Sequence, residues 1–238
     1  MKRLTFLCLF SILLGAQAVA PEVEITAEPH HHLTLENKSV RVFNVEIPPH
    51  ADTLMHWHRH DYFQVTLGAS EVVNQVKDKP PVTVKLQDGE TRFSPATFAH
   101  IARNLSDQPF RNVTIEILED ESLRSSTAHW DEDRGLDILT NGTKQILFVK
   151  DNIRVTEFEL QPGAVVPSRP RSGPLLLVAI NDLDVFTNDP RTHGAPEPPP
   201  PPPSHFNSGN SVWLNHGFRR PIINTGHTLA KFVTLEFP

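Results

Sequence analysis

Short runs of alternating apolar and polar residues dominate this chain. Val40-Arg41-Val42-Phe43-Asn44-Val45-Glu46-Ile47 alternates until Pro48-Pro49 ends the run. A period of two puts successive side chains on opposite faces of a pleated strand, so this stretch predicts a half-buried strand. Further strands are expected at 62–67, 71–76, 82–86 and 112–118, with Gln87-Asp88-Gly89-Glu90 as a turn. No long stretch repeats its apolar residues at helical spacing. The fold class that follows is all-β.

The stretch His56-Trp57-His58-Arg59-His60-Asp61 carries the candidate chemistry. In an extended chain His56 and His58 share a face, and two neutral imidazoles on a rigid strand make half of a transition-metal site. In the next run Asp61, Phe63, Val65 and Leu67 alternate with Tyr62, Gln64 and Thr66. The apolar face is expected to look into the core and to take Asp61 with it, leaving Tyr62 and Gln64 outside. His56 and His58 are even and Asp61 is odd, so their convergence needs a bulge or turn near Arg59-His60. A more distant ligand is available in His100, within Gly89-Glu90-Thr91-Arg92-Phe93-Ser94-Pro95-Ala96-Thr97-Phe98-Ala99-His100 and ahead of Asn104.

On these residues the chain resembles the cupin superfamily, whose two motifs read G-x5-H-x-H-x3,4-E-x6-G and G-x5-P-x-G-x2-H-x3-N. The second motif is met by Gly89, Pro95, His100 and Asn104, with Thr97 at a glycine position, and the first by His56, His58 and Gly68. His50 replaces the leading glycine, and Asp61 sits where x6-G places the glutamate, with two residues between it and His58 instead of three or four. The resemblance implies His56, His58, Asp61 and His100 as ligands of one divalent transition metal: iron, manganese, zinc, nickel or copper. Water, Gln64 or His60 is the alternative fourth ligand.

The second half repeats the first. An offset of 113 residues takes Val40 onto Ile153 and Pro49 onto Pro162, but takes His56 onto Arg169, His58 onto Arg171 and Asp61 onto Pro174. The late motif recurs from Gly209 to Asn224, with Arg220 at the histidine position. Guanidinium groups stay protonated and do not bind metal. The implied architecture is two tandem jelly-roll barrels, a bicupin. It comprises a metal-binding barrel at 19–120, a linker at 121–138 and a degenerate, metal-free barrel at 139–238. Pro198 to Pro203 form a stiff rod, read with Pro196 and Glu197 as an exposed loop at 196–203. If Arg169, Arg171 and Arg220 converge they make an anion site.

The first residues read as a signal peptide. Lys2 and Arg3 precede an apolar run to Leu14, and Ala16-Gln17-Ala18 offers a cleavage site after residue 18. The expected location is therefore secreted or periplasmic, with no membrane span after cleavage. The one cysteine, Cys8, lies in this segment, so the mature chain has no thiol or disulfide chemistry. Loss of Lys2 and Arg3 moves the formal charge from −6 to −8, which argues against nucleic acid as a partner. In the His30-His31-His32 run, an inward-facing arm residue lining the pocket is one reading. The expected function is a metal-dependent enzyme on a small organic substrate, with dioxygenase-, isomerase- or lyase-like chemistry. Tyr62, His60 and Gln64 adjoin the site. The alternative is a non-catalytic protein that binds a metal or small ligand, and homodimerisation is open.

Overall fold

The structure, a computed structural model, describes residues 21–118, 130, 134–167, 173–186, 204–215 and 221–238. The signal segment, the acidic clusters of the linker, the proline-rich loop, and Arg169, Arg171 and Arg220 lie outside the described residues.

The first half forms two five-stranded sheets facing each other. One runs in the order β1 (Val23–Glu24), β4 (His56–His58), β9 (Phe98–Asn104), β6 (Ser70–Val76), β7 (Val82–Leu86). The other runs β2 (His31–Glu36), β3 (Val40–Ile47), β10 (Phe110–Ile117), β5 (Tyr62–Leu67), β8 (Thr91–Ser94). Three of these strands, β3, β5 and β7, have the bounds that alternation predicts. The only helical turn among the described residues is a 3₁₀ turn at Ile25–Ala27. The β1–β4 pair is parallel, and the other strand pairs among the described residues are antiparallel.

The second half holds a six-stranded and a four-stranded sheet. The first is β11 (Gly135–Leu139), β12 (Gly142–Lys150), β13 (Ile153–Leu160), β20 (Ala230–Glu236), β15 (Leu175–Ala179), β18 (Ser211–Leu214). The second is β14 (Val165–Val166), β19 (Ile222–Asn224), β16 (Leu183–Phe186), β17 (Ser204–Phe206). Without β1 and β11, both halves have one strand order, so the repeat seen in sequence is a repeat in space. It extends to side chains. Asn104 Nδ2 donates to the carbonyls of Ile47, Pro48 and Gln108, and Asn224 Nδ2 donates to those of Leu160 and Thr228. Both amides pin a strand end that would otherwise bury unpaired carbonyls. An Arg41–Glu116 ion pair in the first half matches Arg154–Glu236 in the second. β11 begins inside the segment read as a linker, because it pairs with β12 and extends the second barrel's sheet.

The two halves share a core. Val40, Val42, Phe63, Val65, Leu67, Val113 and Ile115 pack against Ile153, Val155, Leu176, Val178, Ile180, Val233, Leu235 and Phe237. These are the outward faces of β3, β5 and β10 against those of β13, β15 and β20. The apolar face of β5 therefore does not look into its own barrel. It looks at the other barrel, and Tyr62 and Gln64 look into the cavity. The expectation for this strand is reversed. Alternation separates two faces, but a second barrel covers the greasier one.

Phe63 is fully buried at this seam, with its ring 5.4 Å from Phe93 and 6.1 Å from Phe148 of the second half. Phe63→Ala is expected to lower unfolding free energy by about 3–5 kcal/mol. Urea unfolding measures this, and a loss below about 1 kcal/mol would show that the barrels do not depend on this packing.

Candidate metal centre

Three histidines meet because two neighbouring strands present them on one face. His56 and His58 flank Trp57 on β4 and point inward together, and both are buried. His100 lies directly opposite His56 on β9. Ring centroids are 5.1 Å apart for His56 and His58, 4.5 Å for His56 and His100, and 5.0 Å for His58 and His100. Asn104 holds the end of β9, and the turn before the motif passes through Gly89 at φ 78°. Thr97 stands at φ 112°, a conformation that suits the glycine expected there and strains a β-branched residue.

Oxygen acceptors orient the rings. His56 Nδ1–H donates to the Leu54 carbonyl at 2.8 Å, and His100 Nδ1–H donates to Asn74 Oδ1 at 2.7 Å. Each bond leaves Nε2 with its lone pair free. His56 Nε2 and His58 Nδ1 are buried with no hydrogen-bond partner. The His58 ring stacks on Tyr62 at 4.2 Å, and its Nε2 is 3.1 Å from His100 Nε2. Two nitrogens each about 2.1 Å from one ion stand about 3.0–3.4 Å apart, so this spacing suits a shared cation. Burial, helped by the nearby His31, depresses the His56 imidazole to about 4. Burial likewise pulls His58 and His100 far below the usual imidazole range. The rings are therefore neutral at physiological pH, the state a metal requires.

The N-terminal arm brings a fourth imidazole. Its β1 runs beside β4, and Glu22 bonds Lys77 and the Trp57 indole N–H while Glu24 pairs with Arg59. Of the three consecutive histidines, His31 lines the cavity, opposite Val45 on β3. Its ring centroid is 4.7 Å from that of His56, and ligand nitrogens of His31, His56 and His58 lie within 4.8 Å of one another. His31 Nδ1–H donates to the buried Glu28 at 2.5 Å. Burial pushes the Glu28 carboxyl up, but the His31 bond and the N–H groups of Leu54 and His30 outweigh it, and the net shift is downward. Sequence reasoning did not single out Glu28 or Asn74, whose roles depend on segments distant in the chain.

Asp61 has a different partner. Its carboxylate accepts the Ala96 backbone N–H at 2.5 Å, and it is not among the residues lining the cavity. β4 and β5 belong to different sheets, so the turn between them carries Asp61 to the 95–96 loop. His60 is not among the lining residues either. The cavity, about 270 Å³, is walled on the far side by Gln64, Asn112 and Thr114. Tyr62 also lines it, with a phenol that burial raises against a bond to Ser94. At the matching cross-strand positions, Asn112 between Val45 and Thr66 becomes Phe232 between Phe158 and Ala179. Phe158 and Phe232 stack at 5.1 Å within an apolar cluster of the second barrel.

This donor set fits a divalent transition metal, since His58 Nε2 and His100 Nε2 stand 3.1 Å apart and the buried, unpartnered His56 Nε2 belongs to a ring 4.5 Å from that of His100, all lining one cavity. No protein-family model matches the chain, and a search of curated proteins finds no match. Solved structures do match. AerE from Microcystis aeruginosa aligns over 89% of this chain and 98% of its own at 13% identity, TM-score 0.56. Bacillus subtilis oxalate decarboxylase aligns over 90% and 76% at 10% identity, TM-score 0.56. Salicylate 1,2-dioxygenase from Pseudaminobacter salicylatoxidans aligns over 87% and 75% at 11% identity, TM-score 0.56. The structural neighbours are cupin-fold proteins, and oxalate decarboxylase is a bicupin. The tandem barrels described above have that fold.

Two outcomes follow from the site. Unfolded chains take up a proton on His56 below about pH 6.5, whereas the folded metal-free protein does so only near pH 4. Stability from this group is therefore complete above about pH 6.5 and falls as pH drops toward 4, by about 3 kcal/mol. Thermal melts of metal-free protein across that window measure it, and a flat profile contradicts a buried neutral ring. Thr97→Gly is expected to raise stability by about 1 kcal/mol by relieving the left-handed backbone, read as a higher Tm.

Proposed function

We propose that this chain is a metal-dependent enzyme, with one divalent ion held by His56, His58 and His100, acting on a small organic substrate in the first barrel. The observation that carries this reading is the meeting of three neutral imidazoles, two of them buried and with unpartnered nitrogens, at a cavity of about 270 Å³. That volume suits a small ligand. Two of the neighbours, an oxalate decarboxylase and a salicylate 1,2-dioxygenase, are named for small carboxylates, which supports that substrate class. The decarboxylase has Mn(II) centres.

A metal at this point would supply Lewis acidity or a binding position for a reactive oxygen ligand. The chain's own groups do the rest. Tyr62 stays protonated, stacked on His58, and can donate its proton or a hydrogen bond to a substrate oxygen. Gln64 and Asn112 face the cavity from the opposite sheet and orient polar substrate atoms. The second barrel buries the outer side of that sheet. Export through the signal peptide expected at 1–18 belongs to the same proposal.

Elemental analysis of purified protein is expected to find about one transition metal per chain. The His56→Ala, His58→Ala double variant should retain less than about a tenth of it. Tyr62→Phe is expected to keep the metal and lower turnover of small carboxylates about 10²-fold. A metal-loaded protein that binds such acids without turning them over would instead make it a binding protein. Full activity in the double variant would end the proposal.

A further inference from the structure

We infer that His31 is a fourth ligand of this metal centre, and that Glu28 is a positioning residue that holds His31 in its metal-binding tautomer. The inference rests on the metal reading above and extends it to the N-terminal arm. The position where a carboxylate ligand is expected is vacated: Asp61 is bound to the Ala96 N–H. His31 reaches the cluster from the opposite sheet. Its side chain is 5% exposed, and one of its nitrogens lies within 4.8 Å of one nitrogen on each of His56 and His58.

Glu28 is 1% exposed and accepts three hydrogen bonds, from His31 Nδ1–H at 2.5 Å, His30 N–H at 2.9 Å and Leu54 N–H at 3.2 Å. An ionised carboxylate only accepts, so His31 must carry a proton on Nδ1, and its neutral ring then presents the Nε2 lone pair. This is the arrangement in which a carboxylate fixes a metal-bound imidazole from behind. The same Leu54 donates its N–H to Glu28 and accepts from His56 Nδ1. One carboxylate thus ties the arm to the strand that carries two of the other imidazoles. An all-imidazole set favours zinc, copper, nickel or iron over manganese, which prefers oxygen ligands.

The test uses full-length mature protein and two probes. Cu²⁺-loaded protein is read by electron paramagnetic resonance with resolved nitrogen hyperfine coupling, and Zn²⁺ affinity by competition with a chromophoric chelator. Wild type is expected to show four imidazole nitrogens and His31→Ala three, with Zn²⁺ bound about 10–100-fold more weakly. Glu28→Gln is nearly isosteric and safeguards against misfolding in the alanine variant. Its amide must set an N–H against either the His31 Nδ1–H or the Leu54 N–H, so Zn²⁺ affinity should fall about tenfold with the fold intact. Mn²⁺ in equal amount should not displace Zn²⁺. Three nitrogens in wild type, or unchanged affinity in His31→Ala, overturns the fourth-ligand assignment while leaving the three-histidine centre in place. Unchanged affinity in Glu28→Gln overturns the role of Glu28. A wild-type chain that takes up neither ion overturns the metal reading itself.

Discussion

The central strands β3, β10 and β5 of the β2-β3-β10-β5-β8 sheet are buried on both faces, and the rest of the molecule follows from that constraint. One face must be apolar enough to seal against the second barrel, as Val42, Phe63, Val65 and Ile115 are. The other face is then free to be polar, and Gln64, Asn112 and Thr114 use that freedom to line a cavity. A lone barrel of this size would have to bury its apolar residues inside, because its outer face meets water. Here the second barrel supplies the dry surface, so the inside of the first can hold polar groups.

The duplicated halves have divided their tasks along that seam. Both keep the strand order, the strand-end asparagine and the arginine–glutamate pair, which are the parts that build a barrel. They differ in what fills them. In the second, Phe158 and Phe232 stack within an apolar cluster held by dispersion and burial. In the first, Asn112 stands where Phe232 does, and space remains for a ligand. The second copy covers the outer face of the first copy's sheet, and packed support of this kind is what a precise ligand geometry requires.

The arm completes the open barrel. It is anchored outside by Glu22 and Glu24 on the β4 side chains, and inside by Glu28 and His31 at the imidazole cluster. A buried carboxylate is costly unless fully bonded, and Glu28 is bonded by two backbone N–H groups and one ring. These bonds keep it ionised and fix the ring it faces. Arm, β4 and imidazoles are consequently ordered by one group.

Contiguous patterns in the sequence determined much of this. Alternation set the bounds of β3, β5 and β7. The spacing of His56, His58, His100 and Asn104 identified the cupin-like fold and three imidazoles that meet. The 113-residue offset revealed the duplication. Each of these signals lies within one strand, one motif or one comparison of halves. The tertiary structure alone decided which face of β5 looks inward, because alternation marks two faces without saying what covers each. It also decided that Asp61 serves the 95–96 turn while Glu28 and His31 reach the cluster. Which side chain occupies the last position around a cavity depends on how an arm and two sheets pack. That packing is a property of their shared burial, which no local run of residues encodes.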